Sequence, residues 1–161
     1  MRIEQARIED AREIMGWFPD KDSIVRWGSP YMSWPLNENT FLEDIYWGEI
    51  ASCVARTEDG RLLAFGQYHS KLGRCHLARL VINPEFRGRG LGEKFVAALM
   101  VHGGRELGAE QFSLYVMTAN RSAYNCYKAL GFVLTKPPDD APNLEDVVFM
   151  VANNPDDHET R

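Results

Sequence analysis

The chain has 161 residues, 45% of them hydrophobic and 25% charged, which suits one compact domain with a full core. A net charge of −5 speaks against nucleic acid as the main partner and leaves a surface able to draw in a cationic amine. No apolar run approaches the ~18 residues needed to cross a membrane, and Met1-Arg2-Ile3-Glu4-Gln5 lacks the apolar core of a signal peptide, so a cytoplasmic protein without membrane contact is expected.

From the N-terminus, alternation over Arg2 to Arg7 predicts a short first strand. Ala11, Ile14, Met15 and Phe18 then recur at helical spacing, and Pro19 closes that helix. Asp22-Ser23 is the expected cap of a second short helix through Trp27, and Asn37 that of a third carrying Phe41, Leu42 and Ile45. Between them, Gly28 to Leu36 reads as an irregular aromatic connection. The tryptophans Trp17, Trp27, Trp34 and Trp47 either line a cleft or close one side of the core, and the core reading is preferred because aromatics bury large areas wherever they sit.

Ser52 to Thr57 and Arg61 to His69 flank Asp59-Gly60, a strong hairpin turn signal. Leu72-Gly73 makes a second turn into a third antiparallel strand, Arg74 to Ile82. A long helix follows with Phe95, Val96, Leu99, Met100 and Leu107 on its apolar face and Gly108 as its stop; Gly103-Gly104 inside it predicts a kink or fraying. Gln111 to Met117 is the next strand, Asn120 caps a helix ending at Gly131, and Phe132 to Thr135 and Val147 to Val151 are the last two strands. Lys136 to Leu144 is a Pro- and Asp-rich loop. One domain over 1–152 and a disordered polar tail over 153–161 are expected.

The stretch that organises the rest runs Leu80-Val81-Ile82-Asn83-Pro84-Glu85-Phe86-Arg87-Gly88-Arg89-Gly90-Leu91-Gly92. An apolar strand, a Pro-containing turn and alternating glycines open directly into a helix. Such a junction points backbone N–H groups outward, and the helix dipole adds partial positive charge. Glycines at 88, 90 and 92 remove the Cβ atoms that would keep an anion off the backbone, and Arg87 and Arg89 add two cations. The stretch is a candidate phosphate cradle. It lacks the Gly-Lys-Ser/Thr of a Walker A loop, and its G-x-G-x-G spacing is not the G-x-G-x-x-G of a dinucleotide loop. What fits is Arg/Gln-x-x-Gly-x-Gly/Ala, at Arg87, Gly90 and Gly92.

A second motif lies one strand and one helix further on: Asn120-Arg121-Ser122-Ala123-Tyr124-Asn125-Cys126-Tyr127-Lys128-Ala129-Leu130-Gly131-Phe132. It matches every fixed position of Asn-x-x-Ala-x-x-x-Tyr-x-x-x-Gly-Phe. With both motifs in this order, the chain resembles the GNAT (Gcn5-related) N-acetyltransferase family over about residues 2 to 152. The resemblance implies a single α/β domain whose mixed, mostly antiparallel sheet has splayed central strands and is flanked by helices. The strand ending at Ile82 should part from the one starting near Gln111, with acetyl-CoA entering the gap.

By the same resemblance, Leu80, Val81 and Ile82 bind the pantetheine arm through backbone groups, as splayed strands leave such groups unpaired. The pyrophosphate sits on the N–H groups of Gly88, Arg89, Gly90, Leu91 and Gly92 beside Arg87. Glu93 contributes by backbone only, and Asn120 contacts the pantetheine or adenine end. Tyr127 is the expected general acid, its phenol protonating the departing coenzyme A thiolate. Tyr124, one turn earlier, is the lesser candidate.

The amine must lose a proton, and the acceptor of that proton is unassigned. Peptide-acetylating members often carry Glu where this chain has Tyr115. His76 is a candidate base on the strand leading to the site, with His69, Glu49 and Asp44 behind it. A backbone N–H near Leu80 to Ile82 could hold the developing oxyanion. The four histidines show no ligand spacing, so no metal is expected. Three cysteines, Cys53, Cys75 and Cys126, without a C-x-x-C pair exclude a disulfide framework and structural zinc; each reads as a small buried hydrophobe. No G-x-S-x-G elbow supports a serine acyl-enzyme, and Cys126 within a helix has no sign of activation.

The expected reaction is therefore N-acetyl transfer from acetyl-CoA to a small-molecule or peptide amine by direct attack, in a chain that could form a homodimer. A non-catalytic acyl-CoA-binding sensor is the alternative, and a generic nucleotide binder a weaker one. Trp27, Tyr31, Trp34 and the Lys136 to Leu144 loop are the expected frame of the acceptor cleft.

Overall fold

The computed structural model describes residues 1–141 and 145–154. Of the expected tail over 153–161, Asn153 instead ends the last strand, paired with Gln111, because the strand pairing runs past Val151; the residues after Asn154 and residues 142–144 of the Pro-rich loop lie outside the described residues. In chain order the elements are β1 (Glu4–Gln5), α1 (Ile8–Met15), α2 (Lys21–Trp27), α3 (Glu38–Asp44), β2 (Ala51–Arg56), β3 (Leu62–Lys71), β4 (Arg74–Ile82), α4 (Leu91–Leu107), β5 (Gln111–Met117), α5 (Arg121–Ala129), β6 (Val133–Thr135) and β7 (Val147–Asn153). A single 3-10 turn, Pro84–Phe86, separates β4 from the glycine loop.

The strands form one seven-stranded sheet in the order β1-β2-β3-β4-β5-β7-β6. Every neighbouring pair is antiparallel except β4 and β5, which run parallel. Alternation along the strands sends side chains to two faces with different covers. Val54 and Phe65 go to a cluster with Ile14 of α1, Ile24 of α2 and Phe41 of α3. Cys53, Tyr68, Cys75, Leu77, Phe112 and Leu114 go to the opposite cluster, with Phe95, Leu99 and Met100 of α4 and Tyr127 of α5. Two helical layers thus close the sheet from either side.

Local chemistry explains most helix ends. Asn37 caps α3, its Oδ1 accepting the Thr40 N–H at 3.0 Å. The cap of α2 is Asp20, two residues before the expected Asp22-Ser23. Its Oδ1 accepts the Ser23 N–H at 2.8 Å, so Ser23 occupies the third helical position of a capping box. Near α1, Arg56 of β2 reaches Asp10 (Nη2 to Oδ2, 2.7 Å) and Glu4 (Nε to Oε2, 3.2 Å), tying the helix start and β1 to the sheet.

The glycine pair in α4 does not interrupt the helix. Gly103 and Gly104 are both buried within an unbroken α4. A Cβ on Gly103 would stand 2.9 Å from Cys75 Sγ, and one on Gly104 would stand 2.9 Å from Phe112 Cζ. The glycines are there because α4 presses its backbone against β4 and β5; the expected kink is absent because packing over this turn offsets their poor helix propensity.

The tryptophans divide. Trp27 lies against Phe18 and Phe41, with ring centroids 4.6 and 5.8 Å away, and Trp17 is buried, so both belong to the core. Trp34 and Tyr31 are exposed and remain free to frame a cleft.

Candidate active site

Parallel pairing between β4 and β5 is short. Cys75 faces Phe112 and His76 faces Ser113, and no later residue of β4 pairs with β5. From Leu77 onward β4 keeps its partner β3 on one side and leaves its other edge open. β5 likewise continues beside β7 alone. An irregularity helps part the strands: register with β3 shifts between Phe65 and Gln67, and Arg79 takes a left-handed conformation with φ of 53°. The expected splay is present, and its open edge carries backbone groups from alternate residues of the Leu80 to Ile82 stretch.

At the end of β4, Asn83 shapes the exit. Its Nδ2 donates to the Leu62 carbonyl at 2.8 Å, and its Oδ1 accepts the Glu85 N–H at 3.1 Å. Arg87 folds back to donate from Nε to the Ile82 carbonyl at 3.2 Å. Gly88 and Gly90 follow with φ of 78° and 72°, a region that admits glycine without steric cost. Gly90 occupies the cap position of α4 and supplies no side-chain acceptor.

Among the described residues, no carbonyl or side chain accepts the N–H groups of Gly88, Arg89, Gly90, Leu91 and Gly92. Five N–H groups without an intramolecular acceptor at the start of a 17-residue helix are a donor set of the kind an anion can occupy. Arg89 lies over the Phe86 ring at 5.6 Å, holding a cation beside the loop. A diphosphate fits this donor set, and a pantetheine-like amide arm fits the open edge of β4.

A model of the acetyltransferase (GNAT) family matches residues 21–132, which include both motifs. The chain belongs to the GNAT family. It is 35% identical over 85 residues to a mycothiol acetyltransferase of Propionibacterium freudenreichii subsp. shermanii; the match covers 49% of this chain and 26% of that relative, so the chain spans about a quarter of its length. Among solved structures, the spermidine N-acetyltransferase of Vibrio cholerae in complex with CoA and spermine superposes with a TM-score of 0.72 at 16% identity, covering 95% of each chain. A dodecameric structure of that Vibrio enzyme gives a TM-score of 0.68 at 18% identity over 95% of this chain and 93% of the other. The family's acyl donor is acetyl-CoA and its reaction acetyl transfer.

The other residues singled out in the sequence lie on α5 and on the sheet face opposite α4. Asn120 caps α5, its Oδ1 accepting the Ala123 N–H at 3.4 Å. Tyr127 is buried, with its ring edge-on to Phe132 at 5.9 Å. Burial raises its phenol well above the usual range, so the hydroxyl holds its proton at neutral pH. Tyr124 is half-buried one turn earlier, with Lys128 over its ring at 5.8 Å. Burial, with Glu93 nearby, pushes the Cys126 thiol up, which keeps it from acting as a thiolate.

His76 sits at the rung where the strands part, 5% exposed, with Nδ1 2.8 Å from Ser113 Oγ. Its ring neighbours are His69 at 5.2 Å and Tyr115 at 5.3 Å. Burial first, then the charges of His69, Lys71 and Arg79, bring its pKa down to about 3. It is neutral at physiological pH and a weak proton acceptor. Tyr115 packs against Phe149 at 5.1 Å beneath the Lys71 ammonium, and its hydroxyl is buried without a hydrogen bond. Of the lesser base candidates, Asp44 accepts the Ser33 N–H at 2.8 Å, and Glu49 is exposed.

Sequence reasoning missed Arg79. The one available signal was a charge inside the apolar run Cys75-His76-Leu77-Ala78-Arg79-Leu80-Val81-Ile82. Its Nη1 donates to Gln67 Oε1 at 2.9 Å, and its guanidinium lies over the Tyr46 ring at 5.3 Å. Among the described residues no group of three His, Cys, Asp or Glu side chains could hold a metal ion, and no helix is long and apolar enough to cross a membrane.

Proposed function

We propose that this chain is an N-acetyltransferase that takes an acetyl group from acetyl-CoA and passes it to a primary amine by direct attack. The observation that carries the reading is the parting of β4 and β5 after His76 and Ser113, beside a helix start with five uncommitted N–H groups. Bound there, acetyl-CoA supplies an activated acyl group on sulfur. Leu80, Val81 and Ile82 bind its arm through backbone groups, and residues Arg87 to Gly92 hold its diphosphate with the Glu93 backbone. Asn120, already committed as a cap, contacts the arm from α5.

In the transfer, a nitrogen–carbon bond forms and the carbon–sulfur bond breaks. Tyr127 donates its proton to the departing sulfur, a role suited to a phenol that burial keeps protonated. The amine's own proton leaves through solvent, because His76, near 3, takes it poorly at neutral pH. His76 is assigned instead to holding Ser113 and the end of the paired segment in place. The acceptor is an amine, the class to which the spermine of the Vibrio complex belongs. Self-association, in the manner of that dodecameric enzyme, is part of the proposal.

The test combines calorimetry of coenzyme A binding with release of free thiol from acetyl-CoA across a panel of amines. Saturable binding with amine-dependent thiol release supports the enzyme. Binding with no turnover on any amine supports an acyl-CoA sensor instead, and absence of binding removes both.

A further inference from the structure

Beyond the family's reaction, the face of the sheet opposite α4 carries a charge pattern that bears on the acceptor. Arg79 stands three residues past the last β4–β5 rung, in the left-handed conformation that is unfavourable for a non-glycine residue. Its direction is set from β3. Gln67, fully buried, donates from Nε2 to the Ile45 carbonyl at 2.7 Å and to Ser52 Oγ at 2.9 Å, which fixes its Oε1 as the acceptor for Arg79 Nη1. One face of the guanidinium is covered by Tyr46, itself 52% exposed. The cation is thus aimed by its neighbours.

It is also under-used. A guanidinium has five N–H donors, and this one makes a single hydrogen bond; its Nε is buried with no acceptor. Among the described residues no carboxylate comes within 4.0 Å of it. Asp44 is near enough to act on it electrostatically, but the Asp44 carboxylate is turned to the Ser33 N–H. A half-buried guanidinium without a carboxylate partner is costly unless something anionic joins it. The Lys71 ammonium, over the Tyr115 ring, adds a second positive charge along the same face.

We infer that the acceptor amine carries an anionic group of its own, a carboxylate, which docks on the Arg79 guanidinium between Tyr46 and Gln67. This rests on the acetyltransferase reading and names the substrate class of that site. An amino acid or similar amine-carboxylate supplies the anionic partner that the Arg79 guanidinium lacks, whereas a polyamine brings it only further cations. The same field favours loss of a proton from the acceptor ammonium, which eases attack in a site whose buried histidine is a weak base.

The experiment compares matched acceptors with acetyl-CoA: α-amino acids, their amides, their decarboxylated amines and spermidine, followed by thiol release. In parallel, calorimetry measures N-acetyl amino acids against N-acetyl amino acid amides on coenzyme A-loaded protein. The inference expects acids to exceed their amides at least tenfold in kcat/KM or in product affinity. Arg79→Gln should lower kcat/KM for the acid at least tenfold and for the amide less than threefold, with Arg79→Lys between. The wild-type acid-to-amide ratio stands as a test even if the variants fold poorly. Spermidine as the best acceptor, or equal handling of acids and amides in both measurements, overturns the inference and leaves the acetyltransferase standing. Failure of coenzyme A to bind overturns both.

Discussion

His76 Nδ1 and Ser113 Oγ meet at 2.8 Å across the last rung that joins β4 to β5. Below this contact the sheet is continuous; above it the strands part. Because the pair is buried, the imidazole is neutral, and the fold opposes its protonation.

That opposition gives a pH dependence with a defined sign. The folded-state pKa of His76 is about 3 against an ordinary value of 6.5, so between these values the unfolded chain binds a proton that the folded chain does not. Stability is present above the ordinary value and is lost as pH falls toward 3, at up to ~1.4 kcal/mol per pH unit from this group. Thermal unfolding between about pH 6.5 and 5 should show the loss, and His76→Gln should flatten it. An unchanged slope in the variant would mean that another group carries the effect.

Tyr127→Phe preserves the edge-on contact with Phe132 and removes only the hydroxyl. Coenzyme A binding and the melting temperature should change little. If the phenol serves as the acid, kcat should fall about a hundredfold or more. A rate within threefold of wild type, with acetyl-CoA and a competent amine, would dismiss Tyr127 from the chemistry.

Gly90→Ala tests the loop. A Cβ at this position meets no atom within 4 Å, so the effect is one of backbone conformation, with φ at 72°. The left-handed region costs an alanine roughly 1–2 kcal/mol. Relaxation out of it reorients the Gly90 peptide within the loop, and the dissociation constant of coenzyme A should rise about tenfold, as read by calorimetry. Unaltered affinity would detach the loop from the diphosphate.

Gly103→Ala sets two effects against each other. Alanine is the better helix former by about 1 kcal/mol. Here, however, its methyl would lie 2.9 Å from Cys75 Sγ and 3.2 Å from the Tyr68 ring, in a buried seam. Overpacking costs about 1–3 kcal/mol and should win, lowering the melting temperature. A rise on substitution would show that the seam between α4 and β4 gives way easily.

The element pattern and the two motifs were legible in the chain itself, since both depend on near neighbours. β4, α4 and β5 begin and end where alternation, helical spacing and Gly108 place them. A loop of glycines needs no distant partner to expose its N–H groups. Caps sit at the edge of this reach: Asn37 and Asn120 were readable, while Asp20 displaced Asp22-Ser23 because Ser23 could serve either as the cap or as its reciprocal partner.

Tertiary structure decided what depends on residues far apart in the chain. Gly103 and Gly104 look like a flaw in a helix until β4 and β5 are brought against them. His76 suits a general base by its ordinary pKa, and only burial, with Lys71 and Arg79 nearby, lowers it in the fold. Arg79 is one charge in an apolar run until Gln67 and Tyr46, from β3 and the turn after α3, orient it. Desolvation and the alignment of charged groups are properties of enclosed space, and the chain encloses it only once folded.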